Sequence, residues 1–131
     1  MPVTSPSLLV VDKDPDVRLA LRMSLEFVGY RVVTAEDARE ALARLDEPGR
    51  PALALLDSCR EASEGEELRR RLRAAGVPLV LLTSRVPGET SGIRAVLPKP
   101  FNLEELYATV AAHGPARALT RPPEDHASLA A

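Results

Sequence analysis

The 131-residue sequence lacks most of what would tie it covalently, stack it on bases or carry it through a membrane. It has one cysteine, Cys59, which excludes an internal disulfide framework and fits a reducing compartment. It has no tryptophan, and aromatic residues make up only 3% of it, which argues against a base-stacking surface. Its 17 basic and 19 acidic residues leave a formal charge of −2, too slight to draw DNA, RNA or an anionic membrane. No apolar run approaches the ~18 residues needed to span a bilayer. Met1 to Ser7 lack the charged and apolar regions of a signal peptide. A Gly-rich phosphate loop and internal repeats are also missing. His113 and His126 stand at or beyond the last helical stripe, with no cysteine or carboxylate set at metal-ligand spacing. The expectation is a soluble, cytoplasmic, single-domain protein with no nucleic-acid and no membrane partner within this chain.

What is present is a core-forming pattern, with 45% apolar residues. Leu8–Val11, Ala52–Leu56 and Leu79–Leu82 are compact aliphatic runs without polar alternation, the mark of strands buried on both faces of a parallel sheet. Arg31–Thr34 and Ala95–Leu97 are shorter β-prone runs. Between them stand helical stripes. Asp14-Pro15 reads as a cap and first helical residue ahead of Val17, Leu21, Leu25 and Val28, closed by Gly29. Ala38, Ala41, Leu42 and Leu45 form the next stripe. Ser63 and Glu66, and again Asn102 and Glu105, have capping-box spacing ahead of Leu68–Ala75 and Leu103–Val110. Five strands interleaved with helices predict an α/β fold, an open, doubly wound, five-stranded parallel sheet with right-handed crossovers. Only eleven residues, Ser84–Arg94, separate the fourth strand from the fifth, which predicts a shortened crossover. Residues 1–114 read as the domain, and 115–131, rich in Pro and Ala and without periodicity, as a mobile tail.

In such a sheet ligands bind beyond the carboxyl ends of the strands. Those ends carry Asp12, Asp57, Thr83 and Lys99, so the four are expected to meet at one edge. Two carboxylates, a hydroxyl and an ammonium suit phosphoryl chemistry: a carboxylate can attack phosphorus, and the other groups can neutralise phosphoryl oxygens. Of the 17 basic residues only two are lysines, Lys13 and Lys99, and both fall at this edge.

With these residues in view, the chain resembles the receiver domain of two-component response regulators over about residues 7 to 113. The matching segments are Leu8–Pro15, Leu55-Leu56-Asp57, Gly65, Leu81–Ser84 and Pro98-Lys99-Pro100-Phe101. The resemblance implies the flavodoxin-like strand order 2-1-3-4-5. It implies Asp57 as phosphoacceptor, Thr83 and Lys99 as the groups that stabilise the phosphoryl, and Asp12 as the first member of the acidic pair. It also implies a histidine kinase or phosphotransfer protein as donor and a separate, unknown output protein as receiver of the signal. Beyond self-modification and autodephosphorylation, no enzyme activity is implied.

Several positions depart from the family pattern. Lys13 replaces the second acidic residue, normally a direct Mg²⁺ ligand. Cys59 falls where a backbone carbonyl usually reaches the metal, so Asp12, Asp57 and the Cys59 carbonyl make at most a weak metal site. Val96 occupies the position of the aromatic switch, and the helix of the short crossover is truncated. Two like charges at ~4 Å in a partly shielded site repel by roughly 4 kcal/mol, so Lys13 predicts poor Mg²⁺ affinity. Two other readings stay open: a pseudo-receiver that signals without phosphate, and, from Asp12-Lys13-Asp14, a haloacid-dehalogenase-like phosphatase.

Overall fold

A computed structural model describes residues 7–45, 50–57, 62–84 and 93–115. Cys59, most of the Ser84–Arg94 connection and the tail beyond 115 lie outside the described residues. Five strands are present: β1 (Ser7–Val11), β2 (Arg31–Ala35), β3 (Leu53–Asp57), β4 (Leu79–Thr83) and β5 (Ala95–Pro98). With them stand α1 (Pro15–Phe27), α2 (Ala38–Leu45), α3 (Ala62–Ala74) and α4 (Leu103–His113). The strands are all parallel and lie in the order β2-β1-β3-β4-β5.

The three central strands are buried almost throughout, which is why their sequences read as aliphatic runs rather than alternating ones. Side chains still alternate between faces. Leu8, Val10, Leu53, Leu55, Val80 and Leu82 pack with Leu21 and Leu25 of α1 and with Leu106 and Val110 of α4. Leu9, Val11, Ala54, Leu56 and Leu79 pack with Ala38 and Ala41 of α2 and with Leu68 and Leu72 of α3. Leu55 is fully buried, and its truncation to Ala would cost about 2–5 kcal/mol.

Local signals account for most helix ends. Asp14 caps α1 by accepting from the Asp16 N–H at 2.9 Å, with Pro15 as first helical residue. Asn102 and Glu105 form a reciprocal capping box on α4. Gly29 and Gly76 stop α1 and α3 at φ of 104° and 76°, backbone that glycine adopts at least cost. Two boundaries differ from the sequence reading. α3 begins at Ala62, so Ser63 lies inside the helix; box spacing alone does not say which turn comes first. β3 runs to Asp57, because β4 supplies a ladder partner, Leu82, opposite it.

Candidate functional site

The sheet register assembles the site. Val11 pairs with Leu56, Asp57 with Leu82, and Thr83 with Pro98. Asp12 therefore leaves β1 beside the end of β3, and Lys99 leaves β5 beside Thr83. The ladder continues one step further on each side: the Asp12 N–H donates to the Ala35 carbonyl at 3.1 Å, and the Lys99 N–H to the Thr83 carbonyl at 2.8 Å.

Three side chains make one ionic cluster. The Lys99 ammonium donates to Asp57 Oδ1 at 2.7 Å and to Asp12 Oδ2 at 3.4 Å. Asp12 is 2% exposed, Asp57 17% and Lys99 28%, so solvent reaches Asp57 but hardly reaches Asp12. Burial works against the charge of Lys99. The hydrogen bond to Asp57 and the charges of Asp12 and Asp57 outweigh it, and together they raise Lys99 above its ordinary pKa of 10.5. Thr83 is buried at the end of β4, and its carbonyl holds the Lys99 backbone. The Lys99–Pro100 peptide bond is cis.

The remaining sequence candidates are distributed differently. Lys13 is exposed, and the ion pairs of Asp12 and Asp57 run to Lys99. Asp14 does not join the cluster, because its carboxylate is engaged in capping α1. Val96 is half-buried in β5 opposite Leu81. Cys59 lies outside the described residues, as does His126. One residue was not foreseen. Arg18, one turn past the Asp14 cap, reaches back and donates from Nη1 to the Asp12 carbonyl at 2.8 Å. Its only trace in the sequence is an arginine one helical turn after a cap that itself follows a strand-end aspartate.

Among the described residues no group of three or more His, Cys, Asp or Glu side chains could hold a metal ion. The two carboxylates present are nevertheless hard oxygen donors. Mg²⁺ commonly accepts one or two of these, with water and phosphate oxygens completing its shell. The donor set thus fits Mg²⁺ and does not suit a softer metal.

The family model described as "Response regulator receiver domain" matches residues 8–111. The chain belongs to this family. The receiver domain is 44% identical over 113 residues to the response regulator MprA of Mycolicibacterium vanbaalenii, covering 80% of this chain and 48% of that protein. It is 41% identical over 134 residues to the MprA of Mycobacterium avium, covering 94% and 56%. It thus spans about half the length of the curated relatives it matches. Among solved structures, chemotaxis protein CheY4 of Vibrio cholerae superposes with a TM-score of 0.73 at 28% identity, covering 84% of this chain and 99% of that one. Response regulator protein TrrA of Thermotoga maritima, solved in complex with Mg²⁺ and BeF, gives a TM-score of 0.71 at 28% identity, covering 82% and 97%. These comparisons support the flavodoxin-like strand order and a phospho-accepting role in two-component signalling. They give no comparable support to the phosphatase reading.

Proposed function

We propose that Asp57 is the phosphoacceptor of this receiver, taking its phosphoryl group from a histidine kinase or phosphotransfer protein and presenting a changed surface to an output protein. The observation that carries this reading is the Lys99 ammonium held between Asp57 and Asp12 at one sheet edge. A carboxylate oxygen of Asp57 forms the new O–P bond while the P–N bond to the donor imidazole breaks and that nitrogen regains a proton. Lys99, already at 2.7 Å from Asp57, is placed to follow the added negative charge onto the phosphoryl oxygens. Thr83, buried at the neighbouring strand end, is the hydroxyl donor. Asp12 holds Lys99 in place and, with Asp57, would hold Mg²⁺. When bound, the ion would supply charge neutralisation during transfer. Lys13, standing where the family has its second acid, would keep that affinity low by leaving the site one carboxylate short.

The donor's approach is supported by two surfaces. An apolar recess lined by Val17, Ser84, Lys99, Pro100 and Phe101 opens beside the ammonium. α1, which starts at the site, also exposes Leu19, Met23 and Phe27, 50%, 60% and 79% accessible, as one ridge at i, i+4 and i+8. That ridge suits a helical donor seated next to Asp57. No helix among the described residues is long and apolar enough to cross a membrane.

The signal cannot run through an aromatic at position 96, since Val96 has no ring to swing between buried and exposed states. The segment between Thr83 and Ala95 is its proposed route. Intact-mass measurement after incubation with acetyl phosphate, with and without Mg²⁺, tests the assignment. A single phosphoryl adduct that disappears in Asp57→Asn is the expected result. Lys13, which removes one carboxylate from the family's acidic pair, favours a second reading as a phosphate-independent interaction module. That reading is adopted if neither acetyl phosphate nor the cognate kinase modifies Asp57.

A further inference from the structure

Asp12 has four tethers among the described residues. Its N–H donates to the Ala35 carbonyl, its Oδ1 accepts from the Asp14 N–H at 2.9 Å, and its Oδ2 accepts from Lys99. The fourth tether is the one from Arg18 to its carbonyl. The first two follow from the strand end and the turn into α1. The fourth does not, because it brings a cationic side chain back from α1 to a single carbonyl just past the end of β1. Arg18 is half-buried and is held in the helix by its own N–H on the Asp14 carbonyl at 2.9 Å. A guanidinium can make this contact as a rigid planar fork, whereas a lysine ammonium offers a flexible point charge.

Fixing the carbonyl of Asp12 fixes the peptide plane after it, and hence the direction in which its Cα–Cβ bond leaves the chain. The carboxylate at the end of that bond is one of the two that hold Lys99. We infer that Arg18 is a positioning residue of the acceptor site: by clamping the Asp12 carbonyl it aims the Asp12 carboxylate at Lys99 and so sets where the ammonium stands relative to Asp57. The inference deepens the reading of Asp57 as phosphoacceptor and rests on it for its functional meaning, although the clamp itself can be tested without phosphate.

The chain's two lysines make the test clean, because selective 15N labelling of lysine gives only two ammonium signals. Lys99 faces Asp12 and Asp57, whereas Lys13 is exposed. Both Nζ signals are followed by NMR at neutral pH in the full chain, in Arg18→Met and in Arg18→Lys. In Arg18→Met the Lys99 signal is expected to shift, as its 3.4 Å contact with Asp12 Oδ2 is lost, and the Lys13 signal to stay in place. Modification of Asp57 by acetyl phosphate should slow about tenfold, the low end of what outer-shell partners cost. Arg18→Lys should fall between the wild type and Arg18→Met in both measurements. A folded Arg18→Met protein whose Lys99 signal is unmoved overturns the inference, even if its melting temperature falls. If Arg18→Met does not fold, the Lys99 signal in Arg18→Lys decides by the same criterion. If the wild-type protein takes no phosphoryl group at all, the functional reading fails, and the Lys99 signal still decides whether Arg18 aims Asp12.

Discussion

The ends of β1 and β3 carry the same residue type a few ångströms from one ammonium, yet they treat it differently. At the end of β1, Asp12 is 2% exposed and bonded through its N–H, its carbonyl and both carboxylate oxygens. At the end of β3, Asp57 is 17% exposed and has Lys99 on Oδ1. A nearly buried carboxylate with a partner on each oxygen is held as an anchor. One that solvent reaches, with Lys99 as its one cationic partner among the described residues, is the better placed of the two to attack phosphorus. In the proposed reading the division of labour between two aspartates therefore follows hydrogen bonding and exposure and not residue type.

The largest effect that could break this contrast is a change of nucleophile. Asp57→Asn should abolish the phosphoryl adduct, while Asp12→Asn should slow its formation and leave it on Asp57, as peptide mapping by mass spectrometry would show. An adduct on Asp12 would reverse the roles. Next in size is Lys99→Met, which removes the cation the two ends share. Modification by acetyl phosphate should fall by about a hundredfold, the scale of losing one preorganised charge donor. Reversing the charge beside the anchor is smaller: Lys13→Asp should tighten Mg²⁺ by about tenfold, worth ~1.4 kcal/mol, as read by titration calorimetry.

The pH dependence sharpens the contrast further. The folded-state pKa of Lys99 is raised above 10.5, so its contribution to stability is fully present below that value. That contribution is lost as pH rises through the raised pKa. Urea unfolding followed across the alkaline range should show this loss in the wild type and a smaller one in Lys99→Met. The smallest effect on stability concerns the α1 ridge. Met23→Asp or Phe27→Asp should change stability by no more than ~0.5 kcal/mol, because both side chains are exposed, yet should slow transfer from a kinase and leave acetyl phosphate modification unchanged.

Much of the fold was legible in the linear sequence. Leu8–Val11 and Leu79–Leu82 could be read as central strands because strands buried on both faces need no polar alternation. Asp14-Pro15 and Asn102–Glu105 marked helix starts because capping is a local interaction completed within one turn. The same rule misplaced the start at Ser63–Glu66, where the helix begins at Ala62, two residues before the first helical position that a cap at 63 implies. The extra residue of β3 was not legible either, since Asp57 belongs to the strand only because Leu82 stands opposite it.

The order of residues alone determined which side chains close each strand, and with that which edge gathers aspartates 12 and 57, threonine 83 and lysine 99. That follows because parallel strands share a direction, so all their ends fall on one side of the sheet. Only the tertiary structure decided how the charges are shared. Lys99 meets Asp12 across 87 positions of chain, Arg18 turns back onto a main-chain oxygen, and Lys13, adjacent to Asp12 in sequence, stays exposed. Ion pairing depends on distances of 3–4 Å between atoms, and no spacing along an extended chain encodes such distances until the sheet register brings the strands together.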